Sequence, residues 1–144
     1  MRIPLRRLDP ELPLPTAQHP GDAGYDLQAR AEVTLAAGGG RALVPTGMAV
    51  AIPEGCAGFI QPRSGLALRH GVTVLNAPGL IDAGYRDELK VLLVNTDPVS
   101  DYTVRRGDRI AQLVIQRFEV VEWEVVEDLG DSRRSTEGWG STGR

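Results

Sequence analysis

Two polar segments of the sequence carry side chains whose types and spacing fit phosphate binding and water activation. In the first, Pro62-Arg63-Ser64-Gly65-Leu66-Ala67, an arginine and a serine precede a glycine where a short helix should begin. Backbone N–H groups, a hydroxyl and a guanidinium would converge there, which is an arrangement that binds anions. The alternative is that Ser64 caps the helix and Arg63 is solvated.

The second segment, Asn76 to Glu88, connects two predicted strands and contains an amide, several carboxylates and a phenol. Asn76 can read the edge of a planar ligand, Asp82 can accept a proton from water, and Tyr85 can pack on a ring. The alternative is that Asp82 and Gly84 only form a turn.

Two further polar residues have apolar neighbours in the sequence. Asp26 lies in Ala23-Gly24-Tyr25-Asp26-Leu27, and Gln112 lies inside a strongly apolar strand. A buried amide needs hydrogen-bond partners, so Gln112 is either a structural tie or a ligand contact.

The segment Gly138-Trp139-Gly140-Ser141-Thr142-Gly143 formally matches G-x-G-x-x-G. A dinucleotide-binding loop lies between a strand and a helix, and no helical pattern follows here, so we do not expect Rossmann-type binding. The backbone N–H groups, with the hydroxyls of Ser141 and Thr142, can instead wrap an anion, as a nest does. The alternative is a terminal tail without a ligand.

Composition restricts the kind of protein that can carry these segments. The chain has 144 residues, of which 42% are hydrophobic and 24% charged, as expected for one soluble domain with a real core. The 17 glycines and 10 prolines argue against a helical bundle. A net charge of −3 argues against general binding to nucleic acid, although 15 of the 16 cations are arginines, Lys90 being the exception.

Cysteine, histidine and hydropathy give expectations about compartment. Cys56 is the only cysteine, and His19 and His70 have no partners at ligand spacing, so neither a disulfide within the chain nor a zinc cluster is expected. No apolar run has the length of a membrane span or the form of a signal peptide. These features predict a soluble protein of the reducing cytoplasm.

The apolar pattern has a period near two, which predicts short strands. Glycine, proline and aspartate turns separate these strands, and a single helical turn is predicted at Leu66 to Arg69, ended by Gly71. The spacing is typical of an all-β sandwich, jelly roll or barrel. The predicted strands are Arg2 to Leu8, Glu32 to Leu35, Arg41 to Val44, Met48 to Ile52, Gly58 to Pro62, Val72 to Leu75, Asp87 to Asn95, Arg109 to Phe118 and Val121 to Val126.

Two of the predicted strands are apolar on both faces, at residues 89–94 and 110–115. An antiparallel strand with one wet face should alternate, so a second covering layer is required, and a neighbouring subunit can supply part of it. Residues 131–144 are polar and glycine-rich without periodicity, which predicts a mobile tail after a domain of residues 1–130.

Together, five segments in this order resemble the trimeric deoxyuridine triphosphatase (dUTPase) family. The resemblance implies a β jelly roll assembled as a homotrimer, with three active sites each built from several chains. It also implies hydrolysis of dUTP to dUMP and pyrophosphate with Mg²⁺ on the substrate phosphates, which limits dUTP for DNA synthesis and supplies dUMP for dTMP synthesis. The segments are AGYDL at 23–27, PRSGLA at 62–67, NAPGLIDAGYRDE at 76–88, RGDRIAQLVI at 106–115 and RRSTEGWGSTG at 133–143.

The resemblance assigns each candidate residue a role. Asp82 takes the position of the general base, Asn76 that of the uracil-edge reader with Ile81 beside it, and Tyr85 that of the ring that excludes a 2′-hydroxyl. Asp26 takes the position of a supporting acid near the metal and the subunit junction. The positions that match phosphate contacts are Arg63, Ser64, Gly65 and Gln112.

The same resemblance identifies residues 131–144 as an arm that closes over an active site. Its binding residues would be Arg134, Trp139, Gly140, Ser141 and Thr142. No metal ligand is expected from the protein itself, because Mg²⁺ would be held by phosphate and water oxygens.

Three positions depart from the family pattern. Asp87 and Ser135 each replace a glycine, and Trp139 stands where a phenylalanine or histidine is common. Aspartate tolerates turn conformations, so we expect the loop around Asp87 to persist, while Ser135 should stiffen the arm slightly.

Two other functions compete with dUTP hydrolysis. A dCTP deaminase resembles this family in fold but usually has arginine-serine-serine where this chain has Arg63-Ser64-Gly65. A regulatory trimer would bind the nucleotide without catalysis, and the presence of Asp82 with all five segments argues against it. We expect no membrane partner.

Overall fold

The fold of residues 1–130, which a computed structural model describes, consists of short β-strands and one short helix, and the all-β prediction is confirmed. The strands are β1 (Leu5–Arg7), β2 (Tyr25–Gln28), β3 (Val33–Leu35), β4 (Arg41–Pro45), β5 (Met48–Val50), β6 (Cys56–Gln61), β7 (Val72–Val74), β8 (Gly79–Ile81), β9 (Lys90–Asn95), β10 (Tyr102–Val104) and β11 (Arg109–Arg117), and the helix is α1 (Ser64–His70).

All of the described strand pairs are antiparallel. The largest sheet has the order β2-β11-β6-β8, a second has the order β4-β9-β7, and β1 with β5 and β3 with β10 form two further pairs. In the largest sheet Gln112 lies opposite Asp26 on one side and opposite Gln61 on the other. Asp26, Gln112 and Gln61 therefore lie side by side across three strands of this sheet. Gln61 is two residues before Arg63.

The core is aliphatic, as an aromatic content of 5% predicts. Burial of one such side chain contributes about 1.5–3 kcal/mol, and β2, β3, β9 and β11 all contribute to the core. The largest aliphatic side chains with essentially no exposure are Leu27, Leu35, Leu89, Leu93 and Ile110. Cys56 is a free thiol inside this core, where it packs as a small hydrophobic residue.

Three strands were not expected from the pattern: β2, β8 and β10. Each is three or four residues long and forms because a partner edge is available, β8 against β6 and β10 against β3. Strands this short carry too few residues for their period to be read from sequence.

The predicted strand Val121 to Val126 is wrong, since residues 118–130 form no strand. Its alternating apolar residues are solvent-exposed, with Trp123 at 90% exposure. Hydrophobic alternation predicts a strand only where an edge is available to pair with it, and within residues 1–130 no strand lies beside this segment. The first strand is also shorter than predicted, because only Leu5–Arg7 lies opposite β5.

Helix α1 begins earlier than predicted and ends as predicted. Gly71 takes a left-handed conformation with φ of 63°, and its N–H donates to the carbonyl oxygen of Ala67. At the other end Arg63 is the N-cap residue and no side-chain hydrogen bond caps the helix. The interpretation of Ser64 as the helix cap is therefore wrong. Within residues 1–130, no helix has the length and hydropathy needed to cross a membrane.

Candidate active site

Arg63, Ser64 and Gly65 lie where β6 turns into α1. Arg63 has extended backbone angles and Ser64 begins the helix, so the side chains and the first N–H groups share one corner. Gly65 lies against the side chain of Arg69, one helical turn later. A Cβ at position 65 would lie 2.9 Å from Nη2 of Arg69. Glycine therefore allows a second guanidinium to approach this corner.

Asp26 is the buried carboxylate that holds the arginines of this corner. It is 4% exposed, and its Oδ1 lies 3.3 Å from Nε of Arg63 while its Oδ2 accepts a hydrogen bond of 3.2 Å from Nη1 of Arg109. The Arg63 contact is an ion pair without hydrogen-bond geometry, so Oδ1 has no hydrogen-bond partner within residues 1–130. Arg63 also donates to the backbone carbonyl of Arg109 at 3.0 Å.

Asp26 orients the guanidinium groups of Arg63 and Arg109. A buried charge is stable only when it is paired, and here one carboxylate faces two guanidinium groups. The group of Asp26, Arg63 and Arg109 has a net positive charge, and both arginines are partly exposed. One carboxylate and two guanidinium groups leave one net positive charge, and Arg69 beside Gly65 adds a second, so this corner can receive an anion.

Gln112 lies beside this corner on β11. Its side chain packs against Gly24, where a Cβ would come within 3.1 Å of Cδ and Nε2 of Gln112. The amide is half-buried, and no hydrogen bond to its side chain occurs within residues 1–130. The ligand contact of Gln112 stays a prediction.

The segment 76–88 forms a separate group. Its strand β8 pairs with β6, and Ile81 lies opposite Gly58. The Asn76 amide lies against Gly79, where a Cβ would come within 3.3 Å of Nδ2, so a larger residue would crowd this amide. Asp82 is exposed and follows directly after β8.

Tyr85 is tied to both ends of a tight turn. Its N–H donates to the Asp82 carbonyl at 3.0 Å, and its hydroxyl donates to the Glu88 carbonyl at 2.9 Å. The ring is 37% exposed. The segment does contain a turn, and this turn fixes an accessible aromatic ring near an exposed carboxylate.

These two groups lie at opposite ends of β6. Asp82 follows the residue opposite Gly58, whereas Arg63 follows the other end of the strand. At about 3.3 Å per residue the two residues are roughly 20 Å apart along the sheet. The fold brings Asp26, Arg63 and Gln112 together, but it does not bring them to Asp82 within one chain.

Asp26, Arg63, Arg69 and Arg109 together form an arginine corner at the start of α1. Sequence reasoning missed two of these residues, Arg69 and Arg109. Arg69 could have been inferred from its four-residue spacing to Gly65 on a helix. No local signal indicated Arg109, because its contact with Asp26 depends on the pairing of β2 with β11. The predicted arm residues Arg134, Trp139, Gly140, Ser141 and Thr142 lie outside the described residues.

The donor set also bears on a metal. Within residues 1–130, no group of three or more histidine, cysteine, aspartate or glutamate side chains is arranged around a cation site. The buried carboxylate of Asp26, beside the start of α1, is already paired with Arg63 and Arg109. That the protein itself supplies no Mg²⁺ ligand stays a prediction.

Comparison with known proteins agrees with the predicted resemblance. The dUTPase family model matches residues 10–143. A deoxyuridine 5′-triphosphate nucleotidohydrolase of Thermobifida fusca is 59% identical over 143 residues, covering 99% of this chain and 79% of that protein. The protein of the same name from Rhodococcus erythropolis is 55% identical, covering 99% of this chain and 87% of its own length.

Solved structures agree as well. The dUTPase of Staphylococcus bacteriophage 80alpha with dUPNHPP superposes with a TM-score of 0.91 at 28% identity, covering 99% of both chains. The family and the enzyme class predicted from the sequence are thereby confirmed. The chain belongs to the dUTPase family.

Proposed function

We propose that this protein hydrolyses dUTP to dUMP and pyrophosphate by attack of water on the α-phosphorus. The observation that carries the proposal is the arginine corner, in which buried Asp26 orients Arg63 and Arg109 beside the start of α1. A triphosphate is the kind of multiply charged anion that this corner suits. The names of the close relatives support the same substrate.

The reaction needs a base and charge neutralisation but no covalent intermediate. The water oxygen bonds to the α-phosphorus while the bond to the α,β-bridging oxygen breaks and pyrophosphate leaves. Asp82 orients the water and accepts its proton. Arg63 and Arg109 offset the negative charge that repels the incoming oxygen.

Substrate recognition is assigned to the segment 76–88. We propose that Asn76 and Ile81 contact the uracil edge and that Tyr85 packs under the deoxyribose, where a 2′-hydroxyl would collide with the ring. Ser64, Gly65 and Gln112 then contact the phosphates. When bound, Mg²⁺ would supply further charge neutralisation on the phosphate oxygens.

We further propose a homotrimer whose active sites are shared between subunits. The distance of roughly 20 Å between Asp82 and Arg63 in one chain supports sharing, because one dUTP can reach both groups more easily if they come from different chains. Apolar surface exposed within residues 1–130 also supports assembly. A groove of about 690 Å³ is lined by Ile3, Leu14, Leu113 and other residues, and the exposed segment 118–129 carries further apolar side chains.

The C-terminal residues complete the proposal. We propose that residues 131–144 form an arm that closes over bound nucleotide, with Arg134 on the terminal phosphates and Trp139 on the uracil face. Gly140, Ser141 and Thr142 would contact the phosphates. The enzyme would act in the cytoplasm, limit dUTP for DNA synthesis and supply dUMP for dTMP synthesis.

A substrate panel tests the function. Purified protein with Mg²⁺ is offered dUTP, dCTP, dTTP and UTP, and both pyrophosphate and nucleotide products are measured. We expect dUMP and pyrophosphate from dUTP, with the other three turned over at least about 10²-fold more slowly. Release of ammonia from dCTP would instead identify a deaminase. Binding of dUTP without pyrophosphate release would identify a regulatory protein.

A further inference from the structure

The carboxylate of Glu88 lies in the interior although the turn before it faces solvent. Glu88 is 9% exposed, and Asp82, Tyr85, Arg86 and Asp87 before it are exposed. A buried carboxylate is costly unless its oxygens find partners. Glu88 directly follows the turn that carries Asp82 and Tyr85, so the partners of its carboxylate bear on the position of that turn.

The Glu88 side chain reaches the turn between β4 and β5. Its Oε1 accepts a hydrogen bond of 2.7 Å from the Gly47 N–H and one of 3.4 Å from Nη1 of Arg30. Gly47 has φ of 74°, and a Cβ there would lie 2.8 Å from Cβ of Asp9, so this turn is tightly packed. The Gly47 N–H that donates to Glu88 is therefore held in place by its neighbours.

The next residue is anchored to the same turn by its backbone. Thr46 donates to the Leu89 carbonyl from its hydroxyl at 2.7 Å and from its N–H at 3.2 Å, and the Leu89 N–H donates to the Met48 carbonyl at 2.8 Å. The Leu89 N–H and the Glu88 carbonyl belong to one peptide plane, so these bonds hold that plane on its C-terminal side. The carboxylate contact with Gly47 holds the Glu88 Cα on the other side of the same plane.

That peptide is what holds Tyr85. The Tyr85 hydroxyl donates to the Glu88 carbonyl at 2.9 Å. The other hydrogen bonds that the structure describes for residues 82–87 also have their partners within residues 82–88. Apart from an ion pair of 3.9 Å between the exposed Asp87 and Lys90, the turn is connected at its C-terminal end to the rest of the described fold through Glu88.

We infer that Glu88 is a positioning residue for substrate selection: its buried carboxylate, bound to Gly47 and Arg30, orients the carbonyl that holds the Tyr85 ring. This inference rests on the proposed role of Tyr85 against a 2′-hydroxyl. A ring that shifts by about 1 Å no longer excludes the hydroxyl efficiently, and such displacements can cost about 10²-fold in rate. Glu88 acts through Tyr85 and does not touch substrate.

The test compares kcat/KM for dUTP and UTP in four variants. Glu88→Ala removes the carboxylate, Glu88→Asp keeps the charge but is too short to reach Gly47, and Glu88→Gln keeps an oxygen acceptor for the Gly47 N–H. Asn95→Ala is the control, because Asn95 is also a buried polar residue but donates to the Leu35 and Ser100 carbonyls, away from the turn.

We expect the dUTP-to-UTP ratio to fall about tenfold in Glu88→Ala and in Glu88→Asp, with Glu88→Gln restoring it to within about twofold of wild type. Asn95→Ala should lower thermal stability and leave the ratio unchanged. If Glu88→Ala does not fold, Glu88→Asp carries the test. An unchanged ratio in Glu88→Asp, or an equal fall in Asn95→Ala, overturns the inference.

Tyr85→Ala separates this inference from the proposed function. If dUTP hydrolysis is correct and Tyr85 excludes ribose, Tyr85→Ala narrows the ratio in the same assay. Should Tyr85→Ala have no effect, the proposed role of Tyr85 fails, and the inference about Glu88 fails with it. If Tyr85→Ala narrows the ratio but Glu88→Asp does not, the failure belongs to Glu88 alone.

Discussion

At the scale of single residues, the site depends on which carboxylates are paired and which are free. Asp26 is buried and faces two arginines, so its carboxylate orients both guanidinium groups. Asp82 is exposed and has no ion pair within residues 1–130. Two residues of the same type therefore have different proposed tasks because their neighbours differ.

Replacing Asp82 with asparagine tests its proposed role as the base. The amide has nearly the same shape but cannot accept the proton from water, so turnover of dUTP should fall about 10²-fold or more. Binding of a non-hydrolysable dUTP analogue should remain, as measured by calorimetry. The matched control is Asp87→Asn, a nearby exposed aspartate, which should keep turnover close to wild type. Near-normal turnover in Asp82→Asn would remove Asp82 from this role.

At the scale of elements, a charged cluster joins the end of β1 to the turn before β11. Arg106 donates to Asp9 at 2.6 Å and to Glu11 at 2.7 Å, and Arg30 lies 3.9 Å from Asp9. The hydrogen bond from Arg106 is the main cause that lowers the pKa of Asp9 in the folded protein. The same pairing raises the pKa of Arg106.

The sign of the stability effect follows from the lowered pKa of Asp9. The pair stabilises the fold above the pKa of an unfolded aspartate, about 3.9, and this contribution disappears as pH falls through the lower folded value. Arg106→Gln should therefore lower the Tm at pH 6, and the difference from wild type should shrink below about pH 4.

The neighbour Arg105→Gln is the control for this experiment, because its side chain makes no described ion pair and it should change the Tm little at either pH. Glu11 pairs with the same guanidinium, so an Arg106→Gln, Glu11→Gln double variant separates the contribution of Glu11 to the Tm from that of Asp9. A Tm difference that stays constant from pH 6 to pH 3 would show that the Asp9 pair does not stabilise the fold.

At the scale of the whole molecule, the two halves of the site are carried by opposite ends of β6. This separation is a property of the sheet register, and no side-chain rotation can remove roughly 20 Å. It provides a direct test of whether subunits share an active site.

Mixing two inactive variants should restore activity if sites are shared. Asp82→Asn and Arg63→Ala each damage every site of their own trimers. Co-refolded mixed trimers contain some sites with wild-type Asp82 from one chain and wild-type Arg63 from another. An equal mixture should then recover about a quarter of wild-type dUTP turnover. Recovery that does not exceed the sum of the two separate variants would show that each chain builds its own site.

The arm proposal has its own test. Deletion of residues 132–144 should leave the assembly intact by sedimentation but lower turnover, since closure aligns the triphosphate and excludes bulk water. In the full chain, a non-hydrolysable dUTP analogue should change tryptophan emission, and Trp139→Phe should abolish the change. Trp123 is the internal control, because it is exposed and far along the chain from the proposed contacts. Normal turnover after truncation would contradict closure.

The sequence alone determined the elements and residues that depend on local chemistry. Alternation and turn residues predicted most strands, because each strand with a buried face must alternate with the pleat. The position of Gly71 predicted the end of α1, because left-handed angles favour glycine. Five ordered segments were also sufficient to indicate the family, since they are spread along the chain from residue 23 to residue 143.

Only the tertiary structure decided what depends on pairing between distant segments. The period of Val121 to Val126 predicted a strand, but no edge is available to it within residues 1–130. The ion pairs of Asp26 with Arg109 and the bond from Gly47 to Glu88 join residues 83 and 41 positions apart. Such contacts follow from sheet register, which is set by packing of the whole core and leaves no signal in the neighbouring sequence.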